Sequence, residues 1–275
     1  MPRATRAAVE MARKSPGAAN PRVNTLAAME AFDPDATFNE DYLWFYEPTM
    51  TDGRNRREAT EIVQTLGLGP GASILDAPCG HGRIANLLAA DGFGVTGVDR
   101  TPLFISRARE DAARLGVEVA YHEGDLRDLP VSGPFDAVVC WFTSFGYFDD
   151  DDNRLVLEQF ARVLRPGGIL LVETMHHDGF VRGFIPAPAA TLTERGDDVM
   201  SDVTTFDSVT GRIESERSVR RDGQLRRSHH SVRLPTVPEF DEWLRSAGFS
   251  ERTYSDRDGQ PLRFDSRRLV VTAVR

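Results

Sequence analysis

Residues 74 to 99 read ILDAPCGHGRIANLLAADGFGVTGVD. An apolar strand runs into Asp76, a turn is built on Gly80 and Gly82, a helix follows, and a second strand ends at Asp99. The glycines permit a tight strand-to-helix turn that brings bare backbone against a ligand. Asp99 stands at the next strand's tip, where a carboxylate accepts both hydroxyls of a ribose. Adenosine is therefore the expected ligand core. The segment Gly80-His81-Gly82-Arg83-Ile84-Ala85 also fits a dinucleotide turn, with Asp99 nineteen residues past Gly80, so NAD stays open on pattern alone.

Asp76 narrows the choice. A dinucleotide site holds a pyrophosphate on helix N-terminal amides, and a second carboxylate at the first strand's tip repels that anion. A ligand carrying an ammonium and a sulfonium is drawn to the same carboxylate, and S-adenosylmethionine (SAM) is such a ligand. On Asp76, Cys79, Gly80 and Gly82 the chain resembles the class I SAM-dependent methyltransferases, whose first motif runs Asp-x-x-Cys/Gly-Gly-x-Gly. The resemblance implies SAM as cofactor and S-adenosylhomocysteine (SAH) as product. It also implies methyl transfer to a nitrogen or oxygen of a small, specialised metabolite, as in the aminosugar and lincosamide methyltransferases. Two alternatives stand beside it: a SAM-fold protein with a non-methylating or structural role, and an NAD-dependent oxidoreductase.

A chain of 275 residues accommodates one good-sized α/β domain with an elaboration. Its net charge of −9 argues against a nucleic-acid backbone as the main partner, because such proteins gain affinity by neutralising phosphates. Two cysteines, Cys79 and Cys140, and no apolar run of membrane-spanning length point to a soluble, reducing, cytoplasmic setting. The expected partner is a small-molecule acceptor, with no nucleic acid, no membrane, and room for a homo-oligomer. The pairs His176-His177 and His229-His230 have no Cys or carboxylate at ligand spacing, so no metal is expected.

Residues 1–24, rich in Ala, Arg and Pro, read as a disordered lead-in, and 25–66 as an aromatic and helical cap with a helix from Arg54 to Leu66 stopped at Gly67. Over 67–196 strands alternate with helices: Ser73 to Asp76, Val95 to Val98, Val117 to Tyr121, Phe135 to Trp141 and Ile169 to Glu173, the last after a turn at Arg165 to Gly168. This order predicts an α/β, Rossmann-like doubly wound sheet with ligands at the carboxyl ends of its strands. Over 197–235 three strand-like stretches, separated by Val209-Thr210-Gly211 and Asp222-Gly223, predict an antiparallel β-meander inserted after strand five, serving as a lid or subunit contact. Residues 236–275 complete the core with a helix and two strands, and the resemblance implies that the last strand enters antiparallel.

The resemblance also assigns site residues. Asp125 falls where an acid hydrogen-bonds the adenine amino group, with Leu126 giving a backbone contact and Arg100 beside Asp99 joining the cofactor set. Arg54 falls where an arginine grips the methionine carboxylate, with Arg56 and Arg57 as rivals and a solvated helix-start residue as the plain reading. Tyr42 and Tyr46 lie one helical turn apart in a segment that folds over SAM; Tyr46 is a candidate catalytic residue and Phe38 a candidate acceptor contact. Trp141 and Phe142, at the tip of strand four, stack near the adenine or fence the sulfonium unless they are core packing. Phe145 is expected to face the acceptor. His176 is the candidate base and His177 its acceptor-binding neighbour, set against the plainer reading of a surface His pair.

Overall fold

Strand β1 (Ser73–Asp76) carries Ile74 and Leu75 on opposite pleats, and neither is exposed to solvent, so the sheet is covered on both faces at its centre. The computed structural model describes residues 34–183 and 189–275; the predicted 1–24 lead-in and the start of the 25–66 cap lie outside these. β2 (Gly94–Asp99), β3 (Ala120–Glu123), β4 (Phe135–Cys140), β5 (Leu164–Met175), β10 (Ser250–Ser255) and β11 (Arg268–Val274) join β1 in one seven-stranded sheet of order β10-β11-β5-β4-β1-β2-β3. The β1–β2, β2–β3, β1–β4 and β4–β5 pairs are parallel, whereas β11 runs antiparallel to both β5 and β10. The chain winds outward from β1 in one direction to β3 and in the other through β4, so a crevice opens beyond the carboxyl ends of β1 and β4.

Two apolar layers sandwich that sheet. On one face Ile74, Ala137 and Val139 meet Ala59, Ile62 and Leu66 of α3 (Asp52–Leu66), Leu88 of α4 (Ala85–Ala90), and Ile105 and Ala108 of α5 (Pro102–Leu115). On the other, Leu75, Val138 and Leu170 meet Leu157 and Phe160 of α6 (Asp150–Val163) and Phe240 and Trp243 of α8 (Val237–Ser246). The Val, Leu, Ile and Phe side chains buried this completely contribute about 2 kcal/mol each. The helix ends follow from sequence: Thr51 accepts from the Arg54 amide, Gly67 ends α3 at φ +62°, and Thr236 with Glu239 closes a reciprocal cap on α8.

Three features depart from the expected elements. β3 begins three residues later than its apolar run, at Ala120, because it is an edge strand in which only Tyr121 is buried. The turn expected at Arg165 to Gly168 is a bulge inside β5: the chain advances from Leu164 to Ile169 while β4 advances from Phe135 to Ala137. The meander has four strands, β6 (Ala189–Arg195), β7 (Asp198–Asp207), β8 (Arg212–Arg221) and β9 (Gln224–Arg233), so the boundary placed at 197 falls inside this sheet.

The four-stranded sheet is tied down by arginines. Arg212 donates to the carbonyls of Phe148 (3.0 Å) and Gly146 (3.2 Å), and Arg233 reaches Asp150 (3.1 Å) and Glu239 (2.7 Å). Arg195, Arg217, Arg221 and Arg226 bind α2 (Glu40–Tyr46) or the residue after it, through Trp44 O and Glu47, Tyr46 Oη, Glu40 O, and Asp41. The meander thereby packs on the segment that roofs the crevice. Among the described residues no helix is long and apolar enough to cross a membrane.

Candidate active site

The crevice is a pocket whose floor is the quoted stretch. Asp76 ends β1, Asp99 ends β2, and Gly80 lies between them at φ +55° in the left-handed region that glycine tolerates, all three facing the pocket. Asp99 accepts from the amides of Gly80 (Oδ2, 2.8 Å) and Thr101 (Oδ1, 2.9 Å), which fixes its carboxylate rigidly at the strand tip. Gly82 does something else. A Cβ there would stand 2.4 Å from Tyr121 Oη and 2.8 Å from Ala108 Cβ, so this glycine serves close packing against α5 and β3 rather than the ligand.

Asp76 is buried, and among the described residues no arginine lies within ion-pair distance of it. Burial, with Asp99 adding to it, pushes its carboxyl up to about 7 against the pull of Arg83 and the Ala85 amide. Burial also raises Asp99, against its amide donors. Two acids thus sit under-compensated at the end of a pocket, an arrangement that fits a cationic ligand.

Further along, Asp125, Leu126 and Arg100 line the pocket. Arg127 grips Asp125 through two side-chain bonds (3.0 and 2.8 Å) and holds its carboxyl below the usual range, with Arg100 at 3.6 Å. Trp141 and Phe142 form the wall beyond β4, and Phe38, Tyr42, Phe104 and Tyr147 form an aromatic roof. Phe38 meets Tyr42 edge-on at 5.3 Å and Tyr147 at 5.5 Å.

Phe142 and Thr143 adopt left-handed backbone at φ +67° and +56°, which costs a side-chain-bearing residue about 1 kcal/mol or more. Buried Glu173 on β5 holds this turn: the Phe142 amide donates to its carboxylate (2.9 Å) and the Thr143 amide to its carbonyl (3.0 Å). Arg268 of β11 pairs with the same carboxylate and donates to Thr143 Oγ1 at 2.7 Å.

Behind Phe142 lies a charge cluster invisible to motif reading. Glu58 of α3, almost unexposed, accepts from Arg54 Nε (2.9 Å), Arg83 (2.5 Å), Arg257 (2.8 Å) and Trp141 Nε1 (3.3 Å). Burial alone pushes the Glu58 carboxyl up, but Arg83, Arg257 and Arg54 together outweigh it and bring it down to about 2. Arg54 and Arg83 both lie over the Phe142 ring, at 5.0 and 4.9 Å. Arg83 lines the pocket; Arg54 does not, being turned onto Glu58 and Thr49 O. Of its rivals, Arg56 is occupied by Asp91 at 2.7 and 2.9 Å, and Arg57 is not among the residues lining the pocket.

Four other expected site residues are placed away from the pocket. Phe145 is core: it is 2% exposed and stacks on Phe240 at 5.0 Å, because the chain turns inward after Phe142. His176 is buried under the C-terminal segment, its Nδ1 bonded to Ser266 O at 2.9 Å and its amide to Arg267 O, so it is not a base facing the crevice. His177 begins α7 (His177–Gly183), pairs with Asp178 at 2.8 Å and meets Phe206 of the meander. Tyr46 stacks on Tyr42 (4.4 Å) and accepts from Arg217 at 3.0 Å, lining the neighbouring groove rather than the pocket itself. Among the described residues no cluster suited to a metal ion occurs.

Residues 74–168 match a family described as a methyltransferase domain. Over these residues the chain is similar to methyltransferase domains. The dTDP-4-amino-2,3,4,6-tetradeoxy-D-glucose N,N-dimethyltransferase of Saccharopolyspora spinosa is 34% identical to it over 142 residues, 50% of this chain and 55% of that protein. The chain spans about half the length of the curated relatives it matches. The likeness in fold extends further: the CcbJ methyltransferase of Streptomyces caelestis superposes with a TM-score of 0.73 at 21% identity, covering 88% of this chain and 98% of that one. A SAM-dependent methyltransferase of Clostridium acetobutylicum gives 0.71 at 15%, covering 86% and 97%.

Proposed function

We propose that the chain transfers the methyl group of SAM to a nitrogen of a small-molecule amine, with amino sugars as the leading acceptor class. The observation that supports the cofactor reading is the pair of buried acids flanking Gly80, with Asp76 short of a cation. Bound there, SAM supplies an electrophilic methyl on a sulfonium. Asp99 holds the ribose hydroxyls, Asp76 faces the cationic amino-acid end, and Asp125 with Leu126 borders the adenine. Arg83 replaces Arg54 as the residue that meets the methionine carboxylate, because Arg83 is the one lining the pocket.

Nitrogen is favoured over oxygen because, once Asp76 is given to the cofactor's cationic end, no competent base remains among the described residues lining the pocket. Burial raises the phenols of Tyr42 and Tyr147 well above the ordinary tyrosine range, so they stay neutral hydroxyls that orient an acceptor. His81 lines the pocket, but burial, Arg83 and Arg107 push it down to about 4, which makes it a weak base. A neutral amine reacts without one, needing placement in line with methyl and sulfur under a water-excluding aromatic roof; an alcohol does not. Tyr46, braced by Arg217 and stacked on Tyr42, holds the Tyr42 ring in place rather than touching the acceptor. The name of the S. spinosa relative, an amino-sugar N,N-dimethyltransferase, agrees with this choice.

The test is thermal stabilisation by SAH against NAD, followed by transfer from labelled SAM to a panel of amino sugars, simple amines and alcohols. Stabilisation by NAD alone would sink the cofactor reading. Labelling of alcohols and not amines would sink the assignment to nitrogen.

A further inference from the structure

The carboxylate of Glu58 takes four donors, two on each oxygen: Arg54 Nε (2.9 Å) and Arg257 Nη2 (2.8 Å) on Oε1, Arg83 Nη1 (2.5 Å) and Trp141 Nε1 (3.3 Å) on Oε2. The three guanidiniums differ in what they leave over. Arg54 also donates from Nη1 to Thr49 O, and Arg257 from Nε to Glu61. Arg83 commits only Nη1, whose second acceptor is Asn55 Oδ1 at 3.2 Å. Among the described residues none hydrogen-bonds Arg83 Nε or Nη2. Yet this side chain is 9% exposed, and of the three it alone lines the cofactor pocket, beneath the roof that Phe38 makes with Tyr42 after α1 (Pro34–Thr37). A buried guanidinium whose bidentate edge is unused is an unfavourable arrangement until a ligand completes it.

One cation would neutralise Glu58, so the additional donors do something further. They remove rotation from the carboxylate, and a fixed carboxylate fixes Nη1. Asn55 and Glu58 stand one turn apart on α3, so both grips on Nη1 come from one rigid helix. The Nε–Nη2 edge is then the part of the fork left for the pocket. We propose that Glu58 is a positioning residue for the cofactor, holding Arg83 so that Nε and Nη2 present a bidentate pair to the methionine carboxylate. The proposal rests on the reading of Arg83 as that carboxylate's partner, and adds the residue that makes this arginine effective. An unanchored arginine loses rotamer freedom when it binds, and Glu58 removes that freedom beforehand. Glu58 itself does not line the pocket, so its influence is confined to the carboxylate end of the ligand.

Calorimetry of the full chain with SAH and with decarboxylated SAH, which keeps the ammonium and lacks the carboxylate, isolates this effect. The wild-type chain should prefer SAH. Glu58→Gln should weaken SAH about tenfold and shift decarboxylated SAH by less than about twofold, whereas a merely structural role would lower both together. Arg83→Met should remove the preference, and the double variant should bind SAH no worse than Arg83→Met alone, because Glu58 acts through Arg83. Where Glu58→Gln does not fold, Asn55→Ala removes the other acceptor on Nη1 and should reduce the preference about threefold. Unchanged preference in Glu58→Gln, or in Asn55→Ala where that is the variant that folds, overturns the proposal, as does a double variant whose losses add. A wild-type chain with no preference, or an Arg83→Met chain that keeps it, overturns the reading of Arg83. A wild-type chain that binds neither ligand overturns the cofactor reading, and the proposal falls with either.

Discussion

Asp76 offers a test in which pH does the work of a mutation. Its carboxyl is raised to about 7 by burial first and Asp99 second, so the ligand-free protein holds a proton there through the mildly acid range. If the cationic end of SAM or SAH requires the carboxylate, binding must expel that proton. Apparent SAH affinity should then fall about tenfold at pH 6 and about a hundredfold at pH 5 relative to pH 8. Stability of the ligand-free fold runs the other way. An acid with a raised folded-state pKa favours the fold at low pH, and between about 4 and 7 the unfolded chain has ionised while the fold has not. That contribution declines by about 1.4 kcal/mol per unit, about 4 kcal/mol in all. Calorimetry of SAH binding and denaturant unfolding, each from pH 5 to 8, measure the two slopes. Asp76→Asn should flatten both, stabilising the ligand-free protein at pH 8 while binding SAH weakly at every pH. A wild-type SAH affinity that is flat from pH 5.5 to 8, or an Asn variant that keeps the slope, refutes the reasoning.

Glu58→Gln leaves three guanidiniums without their common carboxylate and should cost about 3 kcal/mol in urea unfolding, far more than any surface pair. Gly82→Ala should lose more stability than Gly80→Ala, because its Cβ collides with Tyr121 and Ala108 whereas Gly80 has open space; parallel melting curves decide, and equal losses would contradict the packing role. Phe145→Ala should cost about 3 kcal/mol or more of stability, with SAH affinity in the folded fraction unchanged, as befits a core ring rather than an acceptor contact. Asp99→Ala should abolish SAH binding and lower the melting temperature too, since the Gly80 and Thr101 amides lose their acceptor.

What the sequence disclosed was what local physics determines. The β1–turn–β2 unit is legible because its alternation, glycines and terminal acids all act within a few residues, and Asp76, Gly80, Asp99, Asp125, Leu126, Trp141 and Phe142 do share one pocket. β6 escaped notice because it is an exposed edge strand, with little apolar pattern to betray it. Phe145 and His176 were misplaced for a common reason: whether a residue after a strand faces ligand or core depends on α8 and on residues 266–267, remote in sequence. Arg83 and Glu58 are likewise products of tertiary contact, though Glu58 left a sign. It occupies the same helical stripe as Ile62 and Leu66, spaced by four, and a charge on an apolar stripe demands a buried partner.

Arg268 reaches from β11 to brace the strained turn beside the pocket, and β11 is threaded between β10 and β5. The pocket wall at Phe142 thus depends on residues synthesised long after it. A nascent chain already containing residues 74–168 has the whole stretch that matches the methyltransferase family but not the clamp that shapes the pocket wall. Cofactor binding should therefore await the emergence of β11, and an excised 74–168 fragment should be a poor surrogate for the chain.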